Sequence, residues 1–270
     1  MEEKMSKEIA VQLYSVRKYA CKDFVSTLKK IADIGYTAVE PAGFWNIRPS
    51  EFKKIVNDLG MEVCSSHSPW ARTPETLGEV MDLADDLNIK TIVCGYGRDS
   101  FEDLDSIKAA AENTNAMLEV LKRNGYDLMQ HNHYWEFDRI DGKLKYDIYR
   151  EMCPDVKIQL DCYWSTNKGA ENAVEMLEKY SDDVVSIHMK DGVCKQIATV
   201  DGMKNGILDC KIDLLPLGSG DLPIPQLIAK TPERVKHIIV ELDYCEIEMF
   251  EALKRSYDYM TSNGFASGRK

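Results

Sequence analysis

The feature that most limits how this 270-residue chain can fold is an alternation repeated along its length: a short apolar run, then a longer amphipathic one. "EIAVQLYS" (8–15) reads as a strand, and "DFVSTLKKIADIG" (23–35) follows it as a helix. In that helix Phe24, Leu28, Ile31 and Ile34 fall on one face, and Gly35 supplies the stop. The pair recurs as strand 36–40 with helix 50–59, strand 61–67 with helix 73–88, and strand 90–95 with helix 101–124. Strand 126–133 leads to helix 144–152, and strand 156–161 to helix 169–181. A strand at 183–191 follows, and strand 235–243 with helix 246–263 ends the series. Strands joined by helical crossovers run parallel and are covered by helices. Eight such strands in this length predict an α/β fold, a (β/α)8 TIM barrel, as a single domain over 1–270. The competing open, doubly wound sheet wants a glycine-rich phosphate loop after an early strand, and "VQLYSVRKYACKD" contains no glycine.

One interval breaks the rhythm. About 45 residues separate the seventh strand from the eighth, and the periodicity assigns no helix there. The flanks of "DGMKNG" within it are able to pair as a hairpin. A long insertion at this point lies over the mouth of a barrel, where function in this architecture resides.

Charge and cysteine usage exclude several classes. Asp and Glu number 45 against 34 Lys and Arg, a net charge of −11, which argues against a nucleic-acid surface. No run of about 18 apolar residues occurs, so no membrane span is expected. Nor does the N-terminus carry the apolar run of a signal peptide. The 8 cysteines form no C-x-x-C pair, and several sit inside apolar runs such as "TIVCG". They read as reduced, small apolar residues of a cytoplasmic protein.

Polar residues gather where the predicted strands end: Gln12 on the first, Glu40 on the second, His67 on the third. The fifth ends in "HNHYWEF", with His131, His133 and Glu136; the sixth reaches Asp161, with Trp164 just beyond. The seventh ends in His188, Lys190 and Asp191, and the eighth in Glu241 and Asp243. Four of the 5 histidines lie at strand C-termini, His237 being the exception. In a barrel these ends converge on one side. Carboxylate, imidazole and carboxylate from strands six, seven and eight make a donor set for a hard-to-borderline divalent cation. Taken singly, Asp161 or Asp191 could equally cap a helix, His67 could belong to a turn, and Trp164 could simply pack.

These segments resemble the xylose isomerase-like TIM barrel superfamily, in particular proteins described as sugar phosphate isomerase/epimerases. The likeness is carried along the chain by "VQLYSVR", "GYTAVE", "SSHSPW", "HNHYWEF", "QLDCYW", "IHMKD", "LGSGD" and "VELD". It implies one divalent metal, Mn²⁺ first, with Mg²⁺, Zn²⁺ and Co²⁺ also compatible, held by a Glu–Asp–His–Glu set. Asp161, His188 and Glu241 match the last three positions. Where relatives place the first acid this chain has His131, so either Glu136 turns back to the ion or a histidine takes its place. The implied chemistry is proton transfer through an enediolate on a keto-sugar, polyol or related carbohydrate, with His131, His133 and Glu241 moving protons. Gln12, Glu40, His67, Trp164, Lys190 and Asp191 are expected to contact substrate. A lyase dehydrating an inosose-like or 3-keto substrate and a non-catalytic sugar-binding barrel are the alternatives. A homo-oligomer, dimer or tetramer, is expected by the same resemblance.

Overall fold

The computed structural model describes residues 7–193, 203–204, 207–208 and 214–269. Eight parallel strands form one curled sheet: β1 Glu8–Gln12, β2 Ala38–Glu40, β3 Glu62–Val63, β4 Thr91–Cys94, β5 Asp127–His131, β6 Lys157–Asp161, β7 Val184–Met189 and β8 His237–Val240. Their lateral order is β3-β2-β1-β8-β7-β6-β5-β4. The segment that follows β3 meets β4, the other end strand, through an isolated parallel bridge between Ala71 and Cys94, so the sheet curls on itself as a barrel requires.

Helices cover it: α1 Phe24–Ile34, α2 Pro49–Asp58, α3 Leu77–Leu87, α4 Leu104–Arg123, α5 Lys145–Met152, α6 Ala173–Tyr180, α7 Ile224–Lys230 and α8 Met249–Ser262. Local chemistry sets several of their ends. The Asp23 carboxylate accepts the Ser26 N–H at 2.9 Å at the start of α1, and Gly35 closes that helix with φ +119°. Asp103 and Asn172 cap α4 and α6 in the same way. Helix α7 was not expected from the sequence; two prolines at its start hide its period, yet proline suits the first helical turn.

The pleat sorts side chains into two sets. Ile9, Val11, Val39, Ile158, Leu160, Ile187, Met189, Ile238 and Val240 face outward and are buried under the helices. Ala10, Ala38 and Ile239 face inward and form a small apolar layer with Cys64 beside it. One step up the same strands the inward set turns polar. The register puts Gln12 opposite Glu40, His131 opposite Gln159, and Asp161 opposite His188.

The structure departs from the sequence reading at three strand ends. β1 stops at Gln12, because the Gln12 side chain accepts the Tyr14 N–H at 2.9 Å and starts a 3-10 turn. β3 pairs over only two residues; beyond it the chain is held by His67 N–H to the Pro41 carbonyl. The seventh run is not one strand. β7 ends at Met189, and Asp191–Gly192 pairs antiparallel with Leu214–Leu215, closing the base of the insertion. Within the insertion Met203–Lys204 pairs with Ile207–Leu208, so one arm of the hairpin lies inside "DGMKNG" rather than before it. Residues 198–200, the flank expected to form that arm, lie outside the described residues. Of the cysteines, Cys21, Cys64, Cys94, Cys153, Cys162 and Cys245 are free thiols; Cys194 and Cys210 lie outside the described residues. Among the described residues no helix is long and apolar enough to cross a membrane.

Candidate metal and proton-transfer site

The polar layer opens into a cavity of about 370 Å³ at the C-terminal end of the strands, the size of a small-molecule site. His67, His131, His133, Lys190, Glu241 and Asp243 line it, with Tyr14, Trp70, Arg72 and Tyr96 around the rim. At its floor, ligand atoms of Asp161, His188 and Glu241 lie within 4.8 Å of one another, all three residues buried. A second group with the same spacing, His67, His131 and His188, shares His188 with the first.

His188 stands between two acids. Its Nδ1 lies 2.7 Å from Glu241 Oε2 and its Nε2 2.6 Å from Glu40 Oε2. Burial works against its charged form, but Glu40 and Glu241 outweigh burial and raise the imidazole to about 10. Glu40 answers in kind: burial opposes its charge, while His67, His188 and the hydrogen bonds from His188 and Ser65 pull the carboxyl down to about 2. Glu40 also accepts from Gln12 Nε2 at 2.7 Å and Gln159 Nε2 at 2.7 Å.

Lys190 is 1% exposed and is the other cation of the floor. Its Nζ lies 2.9 Å from Asp161 Oδ2, 3.1 Å from Glu241 Oε2 and 2.9 Å from Asp243 Oδ2. Burial would discharge it, yet Asp161, Asp243 and Glu241 hold its pKa well above the lysine range. Burial also raises Asp161 to about 6, against the pull of Lys190. Glu241 is lowered: burial opposes its charge, but Lys190 and the His188 hydrogen bond prevail. Burial, with the neighbouring imidazoles and Lys190 adding to it, drives His131 well below its usual value. For His133 burial and Lys190 bring the ring to about 3.

This environment is chemically suited to a divalent ion. Asp161 Oδ2 is buried, and its partner is the Lys190 ammonium 2.9 Å away rather than a backbone or amide donor. Four carboxylates (Glu40, Asp161, Glu241, Asp243) face two cations, Lys190 and His188. Acids outnumber cations in the cluster, and its oxygen and nitrogen atoms are the donors that hard-to-borderline ions take.

The sequence-predicted residues therefore separate into two sets. His67, His131, His133, Lys190 and Glu241 line the cavity, with Asp161 and His188 at its floor. Glu136 does not join them. Its carboxyl accepts the His133 backbone N–H at 3.0 Å and Gln130 Nε2 at 3.3 Å, fully enclosed, and burial raises it to about 8. Gln12 and Glu40 are fully buried behind the cavity wall rather than on it. Asp191 is spent on the loop: its oxygens accept the backbone N–H groups of Gly192, Gly218, Gly220 and Leu222 at 2.8–3.1 Å. A Cβ on Gly220 would stand 2.4 Å from the Gly192 nitrogen, so that close approach needs glycine. Trp164 is buried, with Lys190 Nζ 5.0 Å from its ring centre, and so braces the lysine.

Some site residues went unpredicted. Trp70 lies flat against Gly95, where a Cβ would come 1.5 Å from the indole, and stacks on His133 at 6.4 Å between ring centres. Trp135 stacks on His133 at 4.3 Å between ring centres. Gln159 could have been found by strand period alone, since it precedes the inward-facing Asp161 by two.

Fold and sequence together define a class. The sequence profile of the xylose isomerase-like TIM barrel family matches residues 28–245, and the chain belongs to that family. Among solved structures, a sugar phosphate isomerase/epimerase from Parabacteroides distasonis is similar over 99% of this chain and 98% of its own, with a TM-score of 0.73 at 22% identity. A probable 3-DHS dehydratase from Bacillus anthracis superposes over 94% of this chain and 98% of its own (TM-score 0.68, 11% identity). An AP endonuclease, family 2, from Brucella melitensis does so over 96% and 99% (TM-score 0.65, 12% identity). At these identities the likenesses show the fold alone. No curated protein sequence matches significantly.

Proposed function

We propose that the protein is a divalent-metal-dependent isomerase or epimerase of a keto-sugar, polyol or related carbohydrate. The observation that carries this reading is the meeting of Asp161, His188 and Glu241 at the floor of a cavity that His131 and His133 also line. Asp161, His188 and Glu241 would hold the ion, Mn²⁺ by preference. Once bound, it would polarise a substrate carbonyl and the hydroxyl beside it, acidifying the carbon between. His188 would offer Nδ1, while Glu40 keeps hold of the ring through Nε2, the outer carboxylate that fixes a metal-binding histidine. Glu136 is committed to the strand-five turn and supplies no fourth ligand in this reading; His67 and His131 form their own close group with His188 beside it.

Proton transfer falls to residues on opposite sides of the floor. Glu241 lies on the strand-eight side; His131 and His133 lie on the strand-five side. Burial keeps both histidines uncharged at neutral pH, the state a base requires. Trp135 stacks on the His133 ring, and Trp70, near parallel to it at 6.4 Å, offers an apolar surface to a sugar ring. Lys190 would stabilise negative charge developing on a substrate oxygen.

A dehydration reading keeps the same residues and rests on one observation. Lys190 is a buried ammonium on the cavity wall, able to hydrogen-bond a departing hydroxyl and stabilise the charge it takes away. The experiment is incubation of the metal-loaded protein with a panel of keto-sugars in D₂O. Deuterium appearing on carbon supports the proposal, product NMR separates epimer from dehydrated product, and chelation should abolish both. Sugar binding that survives chelation with no deuterium uptake on any substrate would instead mark a non-catalytic barrel.

A further inference from the structure

Gln159 stands on β6, two residues before Asp161, and is fully buried inside the barrel. The register sets His131 on one side of it and Ser186 on the other. Its amide makes four contacts. Nε2 donates to Glu40 Oε1 at 2.7 Å and to Ser186 Oγ at 3.2 Å. Oε1 faces His67 Nε2 at 2.6 Å and His131 Nδ1 at 3.1 Å.

The acid end fixes the direction of every one of these bonds. Gln12, Ser65 and Gln159 all point donors at Glu40, and a carboxylate has only acceptors to offer. The amide atom facing Glu40 must therefore be the nitrogen, which leaves the carbonyl oxygen facing the two imidazoles. An amide oxygen cannot donate, so both ring nitrogens that meet it carry protons.

We infer that Gln159 is a positioning residue that holds a proton on His131 Nδ1 and on His67 Nε2, so that His131 gives and takes protons through Nε2. Gln159 touches no substrate and acts through the histidine. The inference rests on the proton-transfer role proposed for His131, and it assigns the nitrogen that performs it. His131 lines the cavity, and with Nδ1 committed to the amide, Nε2 is the nitrogen left for a substrate or an ion. The order of dependence runs from Glu40 through Gln159 to His131. A ring free to carry its proton on either nitrogen would spend part of its time with no lone pair where one is needed. In a triad, the wrong tautomer alone costs about 10⁴ in rate.

The test reads the tautomer directly. Protein labelled with ¹⁵N-histidine gives long-range ¹H–¹⁵N spectra in which the protonated and bare ring nitrogens are distinct, and a His131→Gln spectrum assigns the signals. The wild type should show His131 protonated on Nδ1. Gln159→Met keeps the bulk and removes the acceptor, so the proton should redistribute toward Nε2. Gln159→Glu restores an acceptor oxygen and should restore the Nδ1–H form. Deuterium exchange into substrate should fall by roughly 10–100-fold in Gln159→Met with KM little changed.

A wild-type His131 protonated on Nε2, or a tautomer that ignores Gln159→Met, overturns the inference. If Gln159→Met does not fold, the wild-type and Gln159→Glu spectra still decide it. If the tautomer shifts as described while exchange continues at the wild-type rate, Gln159 keeps its positioning role and His131 loses its proposed one.

Discussion

The two ends of the barrel carry nearly the same set of side chains and do opposite things with them. At the C-terminal end Asp161, His188 and Glu241 come within ligand distance of one another, all buried. At the N-terminal end Glu8, Glu62 and His237 come equally close. There the histidine meets Glu62 at 2.7 Å with the Glu62 side chain 60% exposed to solvent. A type-and-distance criterion cannot separate the two clusters. What separates them is burial. The buried cluster sets four carboxylates against Lys190 and His188, away from solvent that could screen the excess of negative charge. The exposed cluster, Glu8 and Glu62 against His237, also has more acids than cations, but solvent screens that excess and leaves little to place at a ligand's disposal.

The comparison breaks most visibly if mutation treats the ends alike. Asp161→Asn or His188→Ala should empty the metal site and lower turnover by on the order of 10³-fold or more, read by metal analysis and by deuterium exchange. His237→Ala should leave both within about twofold. Equal losses at the two ends, or none at the C-terminal end, would remove the basis for assigning the site. His133→Ala sharpens the point. His133 lines the cavity but belongs to neither ligand group, so the metal should stay while exchange falls by about 10²–10⁴-fold. Loss of metal together with exchange would move His133 from proton carrier to ligand.

That contrast also marks how far the sequence could be read. Apolar period and strand-helix alternation depend on which face a residue takes, and a chain displays that openly; hence the eight strands and the polar strand ends were legible. So was the gathering of Asp161, His188 and Glu241, because barrel topology brings strand ends together whatever their spacing in the chain. What a side chain does once it faces inward was not legible. Glu40, Asp191 and Glu136 sit among polar strand-end residues, yet each is consumed by a neighbour: Glu40 by Gln12, Ser65, Gln159 and His188, Asp191 by four backbone N–H groups, Glu136 by the His133 N–H. Those partners are 27 or more residues away for most of these contacts, and no local pattern announces them.

Glu136 lets the buried end be probed without touching the cluster. Burial, its largest influence, lifts its carboxyl from the ordinary 4.5 to about 8. The folded state thus binds a proton more tightly than the unfolded chain does. Its contribution to stability is complete below pH about 4.5 and is lost as pH rises through about 8. Glu136→Gln mimics the protonated form at every pH. The difference in unfolding free energy between wild type and Glu136→Gln should therefore swing by a few kcal/mol against the wild type across that window. Thermal melts of both proteins at several pH values measure it. A pH-independent difference would mean that the carboxyl is ionised throughout, and Glu136 would return as a candidate for the ion's fourth ligand.

The smallest effect is expected at the exposed end, and it is the most direct measure of what burial adds. His237 and Glu62 sit as close as His188 and Glu241, 2.7 Å in each case. If proximity set the energy, a double-mutant cycle on each pair would return similar couplings. Exposure says otherwise. Water and salt screen the N-terminal pair, so Glu62→Gln with His237→Gln should show a coupling of about 0.2–1 kcal/mol that fades in high salt. At the buried pair, removing one partner leaves an uncompensated charge and should cost about 3–5 kcal/mol, and the coupling from the full cycle should exceed that of the exposed pair with little salt dependence. Couplings of equal size at the two ends would show that the C-terminal cluster is an ordinary ion-pair network, and the demand for an added cation would disappear with that result.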